Sequence, residues 1–213
     1  ALQELVNLGV ENIITFDAHD QRVQNAIPHK SFENVMPTYQ MIKAIVNNID
    51  DLKVDKDHLM VISPDEGAMQ RCIYFATQLG VNLGMFYKRR DFTKVVDGRN
   101  PIVEHQYLGD PINGKDIIIV DDMISSGESM LEVAKKLKGL GANRIFVCTT
   151  FGLFANGLDV FDEAYKEGVF EKVFTTNGVY QTPELLSREW YQSVDLSKYV
   201  CLLYTSPSPR DTR

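Results

Sequence analysis

The sequence predicts an α/β protein with a mostly parallel sheet flanked by helices. Strand-like and helix-like segments alternate through the middle of the chain, which is typical of strand–helix–strand crossover units. The run Ile-Ile-Ile-Val at residues 117–120 is apolar at every position, as expected of a parallel strand buried on both faces. The chain has 213 residues, 44% hydrophobic and 24% charged, which is enough to fold around a substantial core.

In the first half of the chain, the end of an amphipathic helix precedes a strand predicted at Asn12–Phe16, and a second strand is predicted at Leu59–Ser63. Pro37 stands in the first turn of a helix, where its missing N–H is tolerated. The apolar face of this helix consists of Met41, Ile42, Ile45, Val46 and Ile49. The next helix has Met69, Cys72, Ala76 and Leu79 on one side, and Gly80 ends it.

In the second half, strands are predicted at residues 81–87, 116–120 and 144–149, and an extended ribbon at Ile102–Leu108. A polar, irregular stretch is expected from residue 88 to residue 100. The helix after residue 129 directs four apolar side chains toward the sheet, and two glycines mark its end. These residues are Met130, Val133, Ala134, Leu137, Gly139 and Gly141.

Charge and cysteine usage restrict the partners. The net charge is −7, whereas proteins that bind a nucleic-acid backbone are usually basic, so no nucleic-acid partner is expected. No apolar run approaches the ~20 residues that span a bilayer, and no signal peptide is visible, so no membrane partner is expected either. Cys72, Cys148 and Cys201 are far apart in sequence. We expect buried, reduced thiols in a cytoplasmic protein.

Charged and polar clusters follow four predicted strands. Three are acidic or polar, at residues 17–20, 63–66 and 121–122, and the fourth is the basic triplet at residues 88–90. Ligands of such folds sit beyond the carboxyl ends of the strands. Carboxylates hold hard cations, and cationic side chains neutralise phosphoryl oxygens. These clusters therefore predict a site for a magnesium–phosphate substrate.

The acidic pair Asp121-Asp122 and the serine-rich segment behind it give the strongest signal. Two carboxylates at a strand end can accept hydrogen bonds from adjacent sugar hydroxyls or hold Mg²⁺ through water. Backbone N–H groups, hydroxyls and the dipole at a helix N-terminus favour a phosphate, and this segment provides Ser125, Ser126, Gly127 and Ser129. The alternative is structural, because Ser125 and Glu128 have the spacing of a capping box.

The segment at residues 120–129, Val-Asp-Asp-Met-Ile-Ser-Ser-Gly-Glu-Ser, resembles the phosphoribosyl-pyrophosphate (PRPP) loop of type I phosphoribosyltransferase folds. Three further segments make the chain similar to the ribose-phosphate pyrophosphokinase family. They are Asp-Ala-His-Asp-Gln-Arg-Val-Gln from residue 17, Val-Ile-Ser-Pro-Asp-Glu-Gly from residue 61 and Tyr-Lys-Arg-Arg from residue 87. The four motifs occur in the family's order, and the resemblance continues more loosely to about residue 199.

The resemblance implies an activity and residue roles. The family transfers the diphosphoryl group of Mg–ATP to the anomeric hydroxyl of ribose 5-phosphate, which gives PRPP and AMP for nucleotide biosynthesis. His19 and Asp65 correspond to the family's metal ligands. Lys88 and Arg90 correspond to its catalytic pair, and Arg90 also reaches the sugar phosphate. The ribose 5-phosphate site corresponds to Asp121, Asp122, Ser125, Ser126, Gly127, Glu128 and Ser129.

The loop departs from the family pattern at two positions. Ser125 stands where the family commonly has an aspartate, and Glu128 adds a carboxylate where the family usually has a small residue. A carboxylate that points into a phosphate site would repel the ligand. We therefore expect the Glu128 side chain to point away.

The resemblance also implies a division of the chain. Residues 1–30 correspond to the end of an N-terminal, ATP-side half, and residues 31–200 to a C-terminal phosphoribosyltransferase-like domain. We expect residues 201–213 to hold the end of the native chain and a non-native tail. The family generally forms homo-oligomers, dimers or hexamers, and the same is expected of the full-length protein. Activity of this piece alone is left open.

Two alternatives share part of the pattern. A salvage phosphoribosyltransferase, which consumes PRPP, shares the loop but would not be expected to contain the motifs of His19 and Lys88. A non-catalytic regulatory relative would be expected to lack the lysine or the histidine, and both are present.

Overall fold

The computed structural model describes the backbone of residues 1–90 and 102–205 and the side chains of residues 1–87 and 106–203. The strands described are β1 (Asn12–Phe16), β2 (Ser31–Val35), β3 (Leu59–Ser63), β4 (Asn82–Arg90), β5 (Ile102–Leu108), β6 (Asp116–Ile124), β7 (Ile145–Gly152), β8 (Lys172–Thr176) and β9 (Tyr191–Val194). The helices are α1 (Leu2–Asn7), α2 (Thr38–Asn48), α3 (Met69–Leu79), α4 (Glu128–Gly139), α5 (Asp159–Lys166), α6 (Pro183–Leu186) and α7 (Ser197–Thr205), and Gln21–Ala26 forms a 3₁₀-helix.

Seven strands form the main sheet in the order β5-β4-β3-β6-β7-β8-β9. The pairs from β4 to β9 are parallel, and β5 at one edge runs antiparallel to β4. This architecture confirms the predicted fold class. Among the described helices, none combines the length and the hydropathy that a bilayer crossing requires.

The centre of the sheet is buried on both faces, as the apolar run in β6 indicates. Ile117 and Ile119 point toward α4 and α5, where they belong to a cluster that includes Val133, Leu137 and Phe161. Ile118 and Val120 belong to a cluster on the opposite face, which includes Met41, Ile45, Cys72 and Phe75 of α2 and α3. Val46 was predicted to belong to the apolar face of α2, but it is 50% exposed.

Three strands, β4, β6 and β7, extend further at their carboxyl ends than the sequence predicts. β6 continues to Ile124 because β7 continues beside it, with Ile124 opposite Gly152. The acidic pair therefore lies inside a strand rather than behind it. β4 continues to Arg90 because β5 pairs with it, so the predicted irregular stretch is wrong at its start. The rest of that prediction, residues 91–100, lies outside the described residues, as does most of the predicted tail.

β1 and β2 form a separate two-stranded parallel sheet, which is attached to the main sheet by a buried ionic contact. Arg71 Nη1 of α3 donates to Asp17 Oδ1 over 2.8 Å. Thr150 Oγ1 of β7 donates to Asp17 Oδ2 over 2.6 Å. The domain boundary predicted at residue 30 lies between β1 and β2, which pair with each other. This boundary stays a prediction.

The Asp17 and Arg71 side chains are almost fully removed from water, with relative exposures of 4% and 8% for the two residues. Burial raises the pKa of Asp17, and the Arg71 guanidinium and the Thr150 hydroxyl act in the opposite direction. The attraction between the two groups therefore offsets the free-energy cost of removing both charges from water. Either charge buried without the other would destabilise the fold.

We expect Arg71→Met to lower the free energy of unfolding by about 3–5 kcal/mol at neutral pH, because it leaves a buried carboxylate without its cation. Since burial raises the pKa of Asp17 above its unfolded value, the folded state binds more protons, and stability falls as pH rises through that window. Loss of Arg71 raises this pKa further, so the deficit should shrink at acid pH. Urea denaturation of both proteins at several pH values measures the difference in their free energies of unfolding.

The double variant Arg71→Met/Asp17→Asn serves as the control. It removes both charges and should recover part of the lost stability. If the single variant is as stable as the original chain at neutral pH, or if the double variant is the less stable of the two, the compensating role of Arg71 is wrong.

Candidate active site

One pocket lies at the carboxyl ends of β3 and β6, where the sequence predicts a phosphate site. Six polar or small residues contribute to its lining, and we call it the loop pocket. They are Asp65, Asp121, Ser125, Ser126, Gly127 and Ser129. Its volume is about 150 Å³. Two of the predicted strand-end clusters and the serine-rich loop therefore share one cleft.

The backbone of the loop is fixed at Gly127, which has φ +87° and precedes the first residue of α4. A Cβ at this position would collide with the Phe161 ring. Gly127 is the N-cap of α4 and no side chain caps the helix, so the alternative interpretation of Ser125 and Glu128 as a capping box is wrong. The first N–H groups of α4 are therefore left for another acceptor.

Neighbouring backbone holds the rest of the loop in place. Ala155 N donates to Ser125 O over 2.8 Å, and Leu153 N donates to Ile124 O over 2.9 Å. Glu128 is exposed and does not contribute to the lining of the loop pocket, in agreement with the expected outward direction of its side chain. The helix N-terminus, with its partial positive charge, faces the pocket without a carboxylate of its own turn in front of it.

Asp121 forms the acidic wall of the loop pocket. Its Oδ1 accepts a hydrogen bond from the backbone N of Asp122 over 2.8 Å. Burial raises the pKa of Asp121 to about 7, and the neighbouring carboxylates of Asp122 and Asp65 contribute to the increase. A cation in this pocket would relieve that repulsion and favour the ionised form.

Asp65 lies opposite, in the turn between β3 and α3. Its Oδ1 accepts from Gly67 N over 2.9 Å and from Ala68 N over 3.2 Å. Ser63 Oγ donates to the carbonyl oxygen of Asp65 over 2.7 Å. These contacts within one turn fix the carboxylate against the pocket.

A second opening lies on the other side of this turn, and we call it the histidine groove. It is lined by Ala18, His19, Asp20, Gln21, Arg22, Gly67, Gln70 and Arg71, and its volume is about 360 Å³. His19 Nδ1 lies 2.6 Å from Asp122 Oδ2. This hydrogen bond raises the pKa of His19, whose side chain is 79% exposed, whereas that of Asp122 is 5% exposed.

The two members of the acidic pair therefore have different surroundings. Successive side chains of a strand point to opposite faces. Asp121 points toward the side of α4 and the loop pocket. Asp122 points toward α3, where its Oδ1 lies 3.9 Å from Arg71 Nη1. The pair was predicted to act as one sugar-binding unit, but of the two residues only Asp121 contributes to the lining of the loop pocket.

The structure thus brings most of the predicted site residues to one edge of the sheet. Asp65, Asp121 and the loop residues other than Glu128 line one pocket, and His19 lies in the adjacent groove. The side chains of Lys88 and Arg90 lie outside the described residues. Within the described part of the chain, no three His, Cys, Asp or Glu side chains form a group that could hold a metal ion.

The buried residues behind the site were not predicted. Asp17 stood in a motif without an assigned role, and no motif included Arg71 or Thr150. Their contacts join residues separated by 54 and 133 positions in the chain. A charged residue on the otherwise apolar side of a helix was the only available cue for Arg71.

Comparisons with known proteins identify the family and the fold of this chain. Residues 29–188 match the family model described as phosphoribosyl transferase domain. The ribose-phosphate pyrophosphokinase of Pyrococcus abyssi is 32% identical over 157 residues, which cover 74% of this chain and 50% of that protein. The enzyme of the same name from Mycoplasma pneumoniae is 31% identical over 180 residues, 84% of this chain and 51% of that protein. The chain spans about half the length of the curated relatives it matches.

The fold also matches a solved structure. The crystal structure of phosphoribosylpyrophosphate synthetase from Mycobacterium smegmatis superposes with a TM-score of 0.76 and 20% sequence identity, over 96% of this chain and 62% of that one. This likeness confirms the phosphoribosyltransferase-like fold. The family match over residues 29–188 agrees with the resemblance seen at residues 120–129, and the chain belongs to the phosphoribosyl transferase domain family.

Proposed function

We propose that this chain forms the ribose 5-phosphate side of an enzyme that makes PRPP. In this reaction the anomeric hydroxyl oxygen of ribose 5-phosphate attacks the β-phosphorus of ATP, the bond from the α,β-bridging oxygen to that phosphorus breaks, and AMP leaves. The hydroxyl proton is released. The observation that supports the proposal most directly is the loop pocket, which combines an acidic wall with the N-terminus of α4.

The two ends of the loop pocket suit the two ends of ribose 5-phosphate. The first N–H groups of α4 and the hydroxyls of Ser125, Ser126 and Ser129 are donors for the phosphate oxygens. The Asp121 carboxylate is an acceptor for the sugar hydroxyls. We exclude the exposed Glu128 carboxylate from the phosphate ligands, because a like charge would oppose binding.

The donor chemistry of the site fits Mg²⁺. Asp65 and Asp121 present carboxylates to the same pocket, and His19 lies in the neighbouring groove. Magnesium usually takes one or two carboxylates together with substrate phosphates and waters, so a complete cage of protein ligands is not required. When bound, the cation would neutralise charge on the transferring phosphoryl groups.

Lys88 and Arg90 complete the proposal through the family resemblance. Diphosphoryl transfer depends on positioning and charge neutralisation more than on covalent help from the protein. A lysine and an arginine from β4 would supply positive charge to the transferring group. Assembly into dimers or hexamers and a cytoplasmic location stay predictions.

The activity test measures AMP and PRPP formed from ATP and ribose 5-phosphate in the presence of MgCl₂, with the full-length protein. We expect both products in equal amounts, and we expect Lys88→Ala to lower kcat by about 10²-fold or more, as removal of a transition-state charge does. Consumption of PRPP with a free base would instead indicate a salvage phosphoribosyltransferase. Full turnover in Lys88→Ala would contradict the mechanism.

A second expectation concerns the backbone of the loop. Gly127→Ala forces a Cβ against Phe161 at a position with positive φ, so the loop must move away from its present geometry. We expect the affinity for ribose 5-phosphate, measured by calorimetry, to fall by about tenfold or more, equivalent to about 1.4 kcal/mol. Gly168→Ala is the matched control, since Gly168 has φ +70° and no atom within 4 Å of an added Cβ.

Gly168→Ala should strain the backbone without changing the affinity. If both variants bind ribose 5-phosphate as the original chain does, while both remain folded in thermal denaturation, the loop does not hold the phosphate.

A third expectation concerns pH. Because the pKa of Asp121 is raised to about 7, its carboxylate becomes ionised as pH rises from 6 to 8, and its capacity to accept from the sugar hydroxyls increases. In the absence of Mg²⁺, we expect the affinity for ribose 5-phosphate to rise by about tenfold over this range relative to Asp121→Asn, whose amide does not titrate. The second ionisation of the phosphate, with a pKa of about 6, affects both proteins equally. An identical pH profile for the two proteins would rule out this role of Asp121.

A further inference from the structure

The carboxylate of Asp122 is held by contacts from both of its oxygens. Its Oδ2 lies 2.6 Å from His19 Nδ1. Its Oδ1 accepts from Met123 N over 2.9 Å and lies 3.9 Å from Arg71 Nη1. The residue is 3% exposed and does not contribute to the lining of the loop pocket. These contacts leave the carboxylate little capacity for a sugar hydroxyl.

The short contact determines which nitrogen of His19 carries the proton. An ionised carboxylate can only accept hydrogen bonds, so Nδ1 must be the donor. In the neutral imidazole the other nitrogen, Nε2, then holds a lone pair. Within the described residues no hydrogen bond to Nε2 is found, and the side chain is 79% exposed in the histidine groove.

Arg71 restrains this arrangement from behind. Its Nη1 donates to Asp17 over 2.8 Å and lies 3.9 Å from Asp122. Both carboxylates and the guanidinium are buried. Asp122 therefore cannot turn toward the loop pocket without separating from a buried cation, which is costly because both groups are removed from water.

We propose that Asp122 is a positioning residue, which holds His19 as the Nδ1–H tautomer and presents Nε2 as a ligand for a divalent cation. A carboxylate behind a ligating histidine commonly fixes the ring in this way. The inference rests on the proposed function, in which His19 is a metal ligand. It assigns to Asp122 a task different from sugar binding, and it leaves Asp121 as the acidic residue of the pair that contacts the sugar.

The first part of the test observes the tautomer directly. Long-range ¹H–¹⁵N spectra of the chain, recorded at one pH where the imidazole is neutral, report which nitrogen of His19 is protonated. We expect Nδ1–H in the original chain and a loss of this preference in Asp122→Asn, since an amide can donate as well as accept. Asp122→Asn is nearly isosteric and leaves the contact between Arg71 and Asp17 in place.

The second part measures the affinity for Mn²⁺, used as a probe, from the paramagnetic broadening of the His19 ring signals. Substitution of a residue that hydrogen-bonds to a metal ligand typically lowers the metal affinity by 10–100-fold. We therefore expect a loss of about this size in Asp122→Asn. In the His19→Ala background the same substitution should have no further effect on Mn²⁺ affinity, measured there by calorimetry. A merely structural role of Asp122 would not produce this dependence on His19.

The chain offers a matched control at the opposite end of β3. His58 Nδ1 lies 2.8 Å from Asp55 Oδ1, and both side chains are about half exposed. Asp55→Asn makes the same chemical change to a histidine–aspartate pair outside the site. It should alter the tautomer of His58 and leave the Mn²⁺ affinity at His19 unchanged.

The outcomes separate this inference from the function on which it rests. An Nε2–H tautomer in the original chain, or a loss of ribose 5-phosphate affinity in Asp122→Asn with the His19 tautomer and Mn²⁺ affinity unchanged, would overturn the inference and leave PRPP synthesis standing. Absence of Mn²⁺ broadening at His19 in the original chain would overturn both the inference and the metal assignment of His19. Failure to form AMP and PRPP is measured independently, in the activity assay.

Discussion

The structure depends on the burial of one cation, Arg71, between carboxylates from two sheets. A guanidinium at 8% exposure is tolerable only with a close partner, and Asp17 at the end of β1 supplies it. Since Asp122 of β6 lies on the other side of the same group, the small sheet, α3 and the main sheet meet at this point. Both walls of the histidine groove are thereby fixed relative to the carboxyl edge of the main sheet.

The sequence was sufficient where an element is defined by its own residues. The bounds of β1 and β3 were predicted correctly, because polar clusters follow compact apolar runs. The ends of β4 and β6 were not, since their last residues are strand only because a neighbouring strand pairs with them. β2 and β9 were missed for a related reason. Their sequences, Ser-Phe-Glu-Asn-Val and Tyr-Gln-Ser-Val, contain too few apolar residues to indicate a strand without the partner.

The candidate site was likewise predicted only in part from the sequence. Because the carboxyl ends of parallel strands share one edge, the sequence placed Asp65 near Asp121 without knowledge of the fold's details. It could not place Arg71, whose partner Asp17 lies 54 positions earlier in the chain. Nor did it separate Asp121 from Asp122, since the acidic pair was expected behind the strand, where the alternation of faces does not apply.

Because of this alternation, the number of residues between the buried isoleucines and the acidic pair of β6 determines which face of the sheet each carboxylate occupies. A single inserted or deleted residue between the buried isoleucines and the acidic pair would exchange the two carboxylates, with Asp121 turned to α3 and Asp122 to α4. Composition, charge and local motif would all survive such a change. Evolutionary variants of this strand should therefore tolerate exchanges of residue type more readily than any change in length.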